Sequence, residues 1–325
     1  MHSIKFLSEE DIKKTVTMGD TIDIISDVFS KLSNGELEMP IRSVTDFGEN
    51  AVFYKPAASK SDGVIGVKLL TQVNSNRERH LPVIQGLMML VDYFDGRYLS
   101  IMDGTYITSL RTGATSGLAT KLLSNKNAKI AAIFGAGAQG RTQLLAICEV
   151  RNIEKVYIFD LNEDAVNSFI NEMTPLVKAK LVRGGSKECL KEVDVICTVT
   201  TSPIPLFSLS DLKKGVHINA IGSFKPTMNE IDGEIVKYAE LYLDHKESVV
   251  AESGDIINPL RDGTITASHI KGEIGDLING KIDGRKDASQ ITLFKSVGVA
   301  VQDLATANMV YRKSIEKGLG QTVNL

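Results

Sequence analysis

At 325 residues, 43% hydrophobic and 24% charged, with a formal charge of −3, the chain suits about two ordinary globular domains and carries no basic footprint for nucleic acid. No window approaches the roughly 18 consecutive apolar residues of a membrane span, "MHSIKFLSEEDIKK" becomes charged at once, and Cys148, Cys189 and Cys197 show no C-x-x-C spacing. The expectation is a soluble cytoplasmic protein with no signal peptide, disulfide framework or metal site, three buried thiols and a small-molecule partner.

Ser8 and Asp11 stand at capping-box spacing and open a first helix. A second follows from Ile22, Ile25, Phe29 and Leu32, with Asn34–Gly35 as its stop. From Met39 to Leu70 short runs of β-branched and aromatic residues ("RSVTDF", "AVFYKPA", "GVIGVKLL") predict antiparallel strands. "VIQGLMMLVDY" and "YLSIMDG" continue them around the turn "DYFDGRY". A helix through "TSLRTGATSGLATKLLS" places Ala114, Leu118 and Leu122 on one face. Strands then alternate with helical text: "KIAAIF", "KVYIFD", "KLVRG", "VDVICTVT", "VHINAIG" and "AELYLD", the pattern of parallel βαβ units. A last helix runs from about Leu293 to Lys317 and is expected to return to the N-terminal region. The fold class is therefore α/β, a Rossmann-type doubly wound parallel sheet domain plus an α+β domain. Residues 1–115 form the α+β domain, completed by about 305–325, and 116–304 form the Rossmann domain.

"FGAGAQGR" sits between a strand and a helix. Gly135-x-Gly137-x-x-Gly140 there reads as a dinucleotide fingerprint: Gly135 for the tight turn, Gly137 for approach of the backbone to a pyrophosphate, Gly140 for helix–strand packing. Asp160, 20 positions past Gly140, ends the second strand, where an acid accepts from ribose hydroxyls; the alternative is that it caps the next helix. A carboxylate there repels a 2′-phosphate, and Leu161 and Asn162 offer no cation to receive one. NAD(H) is therefore favoured over NADP(H).

No H-E-x-x-H, G-x-S-x-G or Walker loop competes with this reading. His217 reads as a packed core residue and His80 as exposed. Arg42, Lys68 and Arg111 stand out instead, because each is a cation inside or beside apolar text. Together they suit an anionic group, and Arg suits a carboxylate's two oxygens.

"MPIRS", "GVKLLTQVNSN", "LPVIQGLMML", "SIMDGTYITSLRTGATSGLATK", "GAGAQG", "INAIG", "GKIDGR" and "ITLFKSVGVAVQDLATANMVY" resemble, in order and over nearly the whole chain, the ornithine cyclodeaminase/μ-crystallin family. The resemblance implies a homodimer whose N-terminal sheet domain binds substrate and forms the dimer contact, beside a domain for a nicotinamide cofactor. It implies that Arg42, Lys68 and Arg111 clamp a substrate carboxylate and that the reaction occurs at the Cα–N bond of a small amino or imino acid. Thr112, Ala138, Gln139, Thr200 and Ser223 join the three glycines and Asp160 as cofactor contacts. Asp303 either orders Lys68 or is a helix-surface acid.

One departure separates the family's activities. The cyclodeaminases carry an acid two residues before a proline after the "NAIG"-like strand; here Phe224 stands there, before Pro226. Cyclodeamination needs a base at that point, and Phe224 supplies none; Glu230 or Lys225 would have to reach in. Reduction of a preformed cyclic imine needs only a clamp, a hydride donor and one proton, with Lys68 as candidate donor. The expected activity is reduction of a cyclic imine such as 1-pyrroline-2-carboxylate to proline. Ornithine cyclodeaminase, an alanine-type dehydrogenase and a crystallin-like binding protein are the alternatives.

Overall fold

The computed structural model describes residues 3–79 and 81–324, so His80 lies outside the described residues. The chain divides into two compact units, 1–111 with 299–325, and 112–298. These divisions fall earlier than the 115/116 and 304/305 boundaries expected. The first lies inside a helix and the second in the loop before one, places where composition does not change.

The first unit opens with β1 (Ser3–Leu7), α1 (Glu9–Thr15) and α2 (Met18–Ser33). The Ser8 hydroxyl accepts from Asp11 N at 3.2 Å while Ser8 N donates to Asp11 Oδ2 at 3.0 Å, and Thr17 with Asp20 repeats the device for α2. Ile22, Ile25 and Phe29 form the buried stripe of α2, which stops at Asn34 and at Gly35, whose φ is +71°. Strands β2 (Ser43–Phe47), β3 (Asn50–Ser59), β4 (Val64–Gln72), β5 (Ile84–Asp92) and β6 (Tyr98–Asp103) form an antiparallel succession. Alternation along β3 and β4 places Phe53 and Gly66 on the covered face. Because the side-chain period is two, it places Lys55 and Lys68 there as well, directly opposite each other.

Helix α3 (Gly104–Leu123) carries the chain from one unit to the next. It is not one-faced as expected. Every residue from Ser109 to Thr120 is buried, whereas Leu122 is only half-buried, because small Gly, Ala, Ser and Thr residues let neighbours approach on all sides.

The second unit is built on β7 (Ile130–Phe134), β8 (Lys155–Phe159), β9 (Lys180–Arg183), β10 (Val195–Thr198), β11 (His217–Ala220), β12 (Glu240–Leu243), β13 (Ile270–Glu273) and β14 (Thr292–Lys295). All are parallel, in the order β13-β12-β14-β11-β10-β7-β8-β9, so strand order reverses between β7 and β10. Helices α4 (Ala138–Val150), α5 (Glu163–Met173), α6 (Gly233–Tyr238), α7 (Lys246–Glu252), α8 (Gly254–Arg261) and α9 (Ile274–Ile278) connect them. Ala131 and Ile133 pack into one core with Leu144, Ile147 and Phe169, whereas Ala132 and Phe134 pack into another with Ile218, Ile235 and Leu293. Both sheet faces are therefore covered, which is why the strands read as continuous apolar runs. Of the cysteines only Cys197 is buried; Cys148 and Cys189 are half-buried at the margins of these cores, and all three thiols are free.

The expected helix from Leu293 is corrected by β14. "TLFK" is a fully buried strand between β11 and β12, and a short apolar run does not distinguish strand from helix. Gly298, at φ +76°, ends the loop, and α10 (Ala300–Glu316) begins only then. It belongs to the first unit, packed on α2, β3 and β4, and β15 (Gln321–Asn324) closes that unit's sheet against β1. Among the described residues no helix is long and apolar enough to cross a membrane.

Candidate functional site

In the first unit β3, β4, α3 and α10 bring cations around one acid. Lys68 Nζ donates to Asp303 Oδ1 at 2.7 Å and to Thr108 Oγ1 at 2.8 Å. Arg111 Nε donates to the same Asp303 oxygen at 3.0 Å, and its Nη1 to Gln302 Oε1 at 3.0 Å. Lys68 and Asp303 are both 0% exposed, so Asp303 is no surface acid. Asp303 Oδ2 is buried and has no hydrogen-bond partner among the described residues. Arg42, half-buried, lies with its guanidinium 5.3 Å from the Phe53 ring centre.

Lys55 is the residue that the sequence reading missed. It is buried on β3 opposite Lys68, and the available signal was parity, since it alternates with Phe53 and Ala57. Burial, then the charges of Lys68, Arg111 and Arg42, push its amine well below the usual lysine range. Burial and the Arg111 and Arg42 charges bring Lys68 down to about 8, against the opposing pull of Asp303. Burial raises the Asp303 carboxyl, but Lys68, Arg111 and Lys55 outweigh it and hold the group below its usual value. Lys68 and Arg111 thus both bond one buried carboxylate, with Lys55 and Arg42 close by, an arrangement suited to an anionic ligand.

In the second unit the glycine loop has the form the fingerprint requires. Gly135 follows β7 at φ +110°, and a Cβ on Gly140 would collide with the Gly135 carbonyl. Gly137 caps α4 and leaves open space where a Cβ would stand. Ala138 is exposed and Gln139 half-buried. Arg141, not singled out from the sequence, fastens the loop: Nη1 donates to Ala136 O at 2.8 Å and Gly137 O at 3.1 Å, while Nε pairs with Glu172 at 2.7 Å. Asp160 accepts from Ala136 N at 2.8 Å and from Asn162 N at 2.9 Å. It does not cap α5; Asn162 does. The exposed residues Gly137 and Ala138 at the start of α4, the gap at Gly137 and the Asp160 carboxylate fit a dinucleotide.

Beyond the carboxyl ends of β10 and β11 lie Thr200, Ser223 and Phe224. Thr200 Oγ1 donates to Glu230 Oε1 at 2.8 Å. Ser223 is buried, with its hydroxyl donating to Met228 O at 2.8 Å. Phe224 is half-buried on the sheet core, with Lys225 Nζ 5.9 Å from its ring centre. Glu230 is fully buried beneath them. Thr112 is buried, and its carbonyl accepts from Gln143 Nε2 at 3.5 Å. His217 is a core residue bonded to Thr292 Oγ1 and Asn219 Oδ1, and burial lowers its imidazole to about 3.

Residues 3–318 match the ornithine cyclodeaminase/mu-crystallin family. A Δ1-pyrroline-2-carboxylate reductase of Bacillus cereus is 35% identical over 98% of each chain. The solved structure of the Thermococcus litoralis Δ1-pyrroline-2-carboxylate reductase in complex with NADH and L-proline is 36% identical, with a TM-score of 0.95 over 98% of this chain and 100% of that one. An archaeal alanine dehydrogenase dimer with bound NAD is 31% identical, with a TM-score of 0.93 over 99% of each. The fingerprint loop, the doubly wound sheet and the cation cluster therefore stand in a chain that belongs to the ornithine cyclodeaminase/mu-crystallin family.

Proposed function

We propose that this chain is a nicotinamide-dependent reductase of the Cα–N bond, with a cyclic imino acid such as 1-pyrroline-2-carboxylate as substrate and proline as product. The observation that carries this reading is the buried group of Lys68 and Arg111 on the single carboxylate of Asp303, with Lys55 beside them, which suits a small carboxylate. The similarity to reductases named for that imine supports it.

Arg42, Lys68 and Arg111 hold the carboxylate, with Arg111 supplying planar, directional donors. Lys55 adds a fourth positive group once an anion is present to offset the like charges around it. A reduced nicotinamide held by the glycine loop and its neighbours would supply the hydride that the imine carbon needs. Lys68, ordered by Asp303 and Thr108, gives the proton that the ring nitrogen needs. The dinucleotide contacts are Thr112, Gly135, Gly137, Ala138, Gln139, Gly140, Asp160, Thr200 and Ser223. Asp160 beside Leu161 and Asn162 favours NAD(H) over NADP(H). Phe224 offers an apolar surface in place of an acid and disfavours cyclodeamination.

A homodimer in the cytoplasm completes the proposal. Tyr54, Leu69 and Leu87 stand in one cross-strand row, each more than a third exposed, an apolar sheet face suited to a second copy. The test is NADH oxidation with 1-pyrroline-2-carboxylate, beside pyruvate plus ammonia, and ornithine plus NAD assayed for proline. Turnover of the cyclic imine with none from ornithine is the expected result. Proline and ammonia from ornithine would overturn the argument from Phe224.

A further inference from the structure

We infer that Glu230 is a positioning residue for the nicotinamide half of the dinucleotide: its carboxylate ties the loop after β10 to the loop after β11 and so sets the surface that receives the ring. This rests on the dinucleotide reading above.

The geometry is that of a fastening at strand ends. Glu230 Oε1 accepts from Thr200 N at 2.6 Å and Thr200 Oγ1 at 2.8 Å. Its Oε2 accepts from Thr198 Oγ1 at 2.9 Å, Gly222 N at 2.7 Å and Ser223 N at 3.2 Å. Thr198 is the last residue of β10, and the other donors lie in the two loops just beyond. A Cβ at Gly222 would strike Thr200 and the Glu230 carboxylate, so the loops touch as well as bond. Glu230 is itself held. Asp255 Oδ1 accepts from Glu230 N at 2.6 Å and Ile231 N at 3.1 Å, and Asp255 Oδ2 pairs with Lys295, the last residue of β14, at 2.9 Å. The carboxyl ends of three adjacent strands, β10, β11 and β14, are laced together.

A doubly wound sheet divides a dinucleotide at the point where strand order reverses. The glycine loop and Asp160 lie on the β7–β8 side and suit the adenosine half, so the β10–β11 side is left for the nicotinamide. Burying a carboxylate is expensive, and apolar packing would stabilise the same space better. All the donors that this one gathers belong to the end of the sheet where ligands bind. Asp244 repeats the arrangement for the next loop, accepting from Ser296 Oγ, Val297 N and Gly298 N. Holding these loops in place before binding removes an ordering penalty from the ligand's affinity.

Glu230→Gln tests this directly. Both carboxylate oxygens face backbone N–H groups, so an amide must set donor against donor on one side. Dissociation constants for NADH and for ADP-ribose, which lacks the nicotinamide, are measured on the wild-type and variant dimers. The expected result is an NADH constant raised about tenfold, the equivalent of one lost hydrogen bond, with ADP-ribose within about twofold of wild type. Thr198→Val keeps all three backbone contacts of Glu230 and suits a strand; it carries the test if Glu230→Gln does not fold, with NADH weakened about threefold and ADP-ribose unchanged. Equal weakening of both ligands, or of neither, in folded variants overturns the inference. A wild-type protein that binds neither overturns the dinucleotide reading and the inference with it.

Discussion

Two buried ion clusters, one in each unit, are built from similar residues and differ in balance. In the second unit Lys295 faces Asp255 and Glu230, and the two carboxylates take seven hydrogen bonds from backbone and hydroxyl donors besides the lysine. In the first unit two cations, Lys68 and Arg111, bond the single carboxylate of Asp303, and one of its oxygens is unbonded among the described residues. A saturated buried cluster holds a shape. An unbalanced one suits an ion that arrives from outside.

The contrast can be broken at either end. Lys295→Met leaves Asp255 buried without its cation and should destabilise the protein by about 3–5 kcal/mol in denaturant titrations, an effect that Asp255→Asn in the same chain should largely reverse. Arg111→Ala removes two hydrogen bonds to buried acceptors and one arm of the proposed clamp. We expect kcat/KM for the imine to fall roughly a hundred- to a thousandfold and the melting temperature to fall as well, since Asp303 and Gln302 lose a buried partner; an unchanged kcat/KM would remove Arg111 from the clamp.

The next expectation concerns pH. Lys68 is charged below its pKa of about 8, so carboxylate capture should be complete below that value. It should decline as pH rises through it, by about tenfold per pH unit in kcat/KM beyond the midpoint. Lys68→Arg should displace the midpoint upward by several units. The smallest effect sharpens the comparison most. Lys55→Met relieves the crowded cluster and should stabilise the protein by about 1 kcal/mol while raising KM several-fold, the opposite sign of stability change from Lys295→Met. A loss of stability on replacing Lys55 would mean that the two clusters are not different in kind.

Much of this molecule was legible before any fold was known, because its signals are local. The capping pair Ser8–Asp11, the stop at Asn34–Gly35 and the glycines 135, 137 and 140 act within a few residues of themselves. Backbone conformation and close packing dictate them directly. Arg42, Lys68 and Arg111 were visible as charges in apolar text, which marks them as partnered without naming the partner. Lys55 was hidden because a lysine on a strand reads as solvent-facing unless the parity of the whole hairpin is known. Strand β14 was hidden because four buried apolar residues look the same in a helix or a central strand. Glu230 was named only as an acid that would have to reach in; its fastening role was hidden because its donors lie as far as 32 positions away and meet only when β10 and β11 are laid side by side. The sequence by itself determined most of the elements, the glycine loop between a strand and a helix, and the presence of cations in apolar text. Only the tertiary structure decided which charges share that site, which carboxylates are saturated and which strand ends are tied together, because burial and pairing depend on neighbours that the chain brings in from far away.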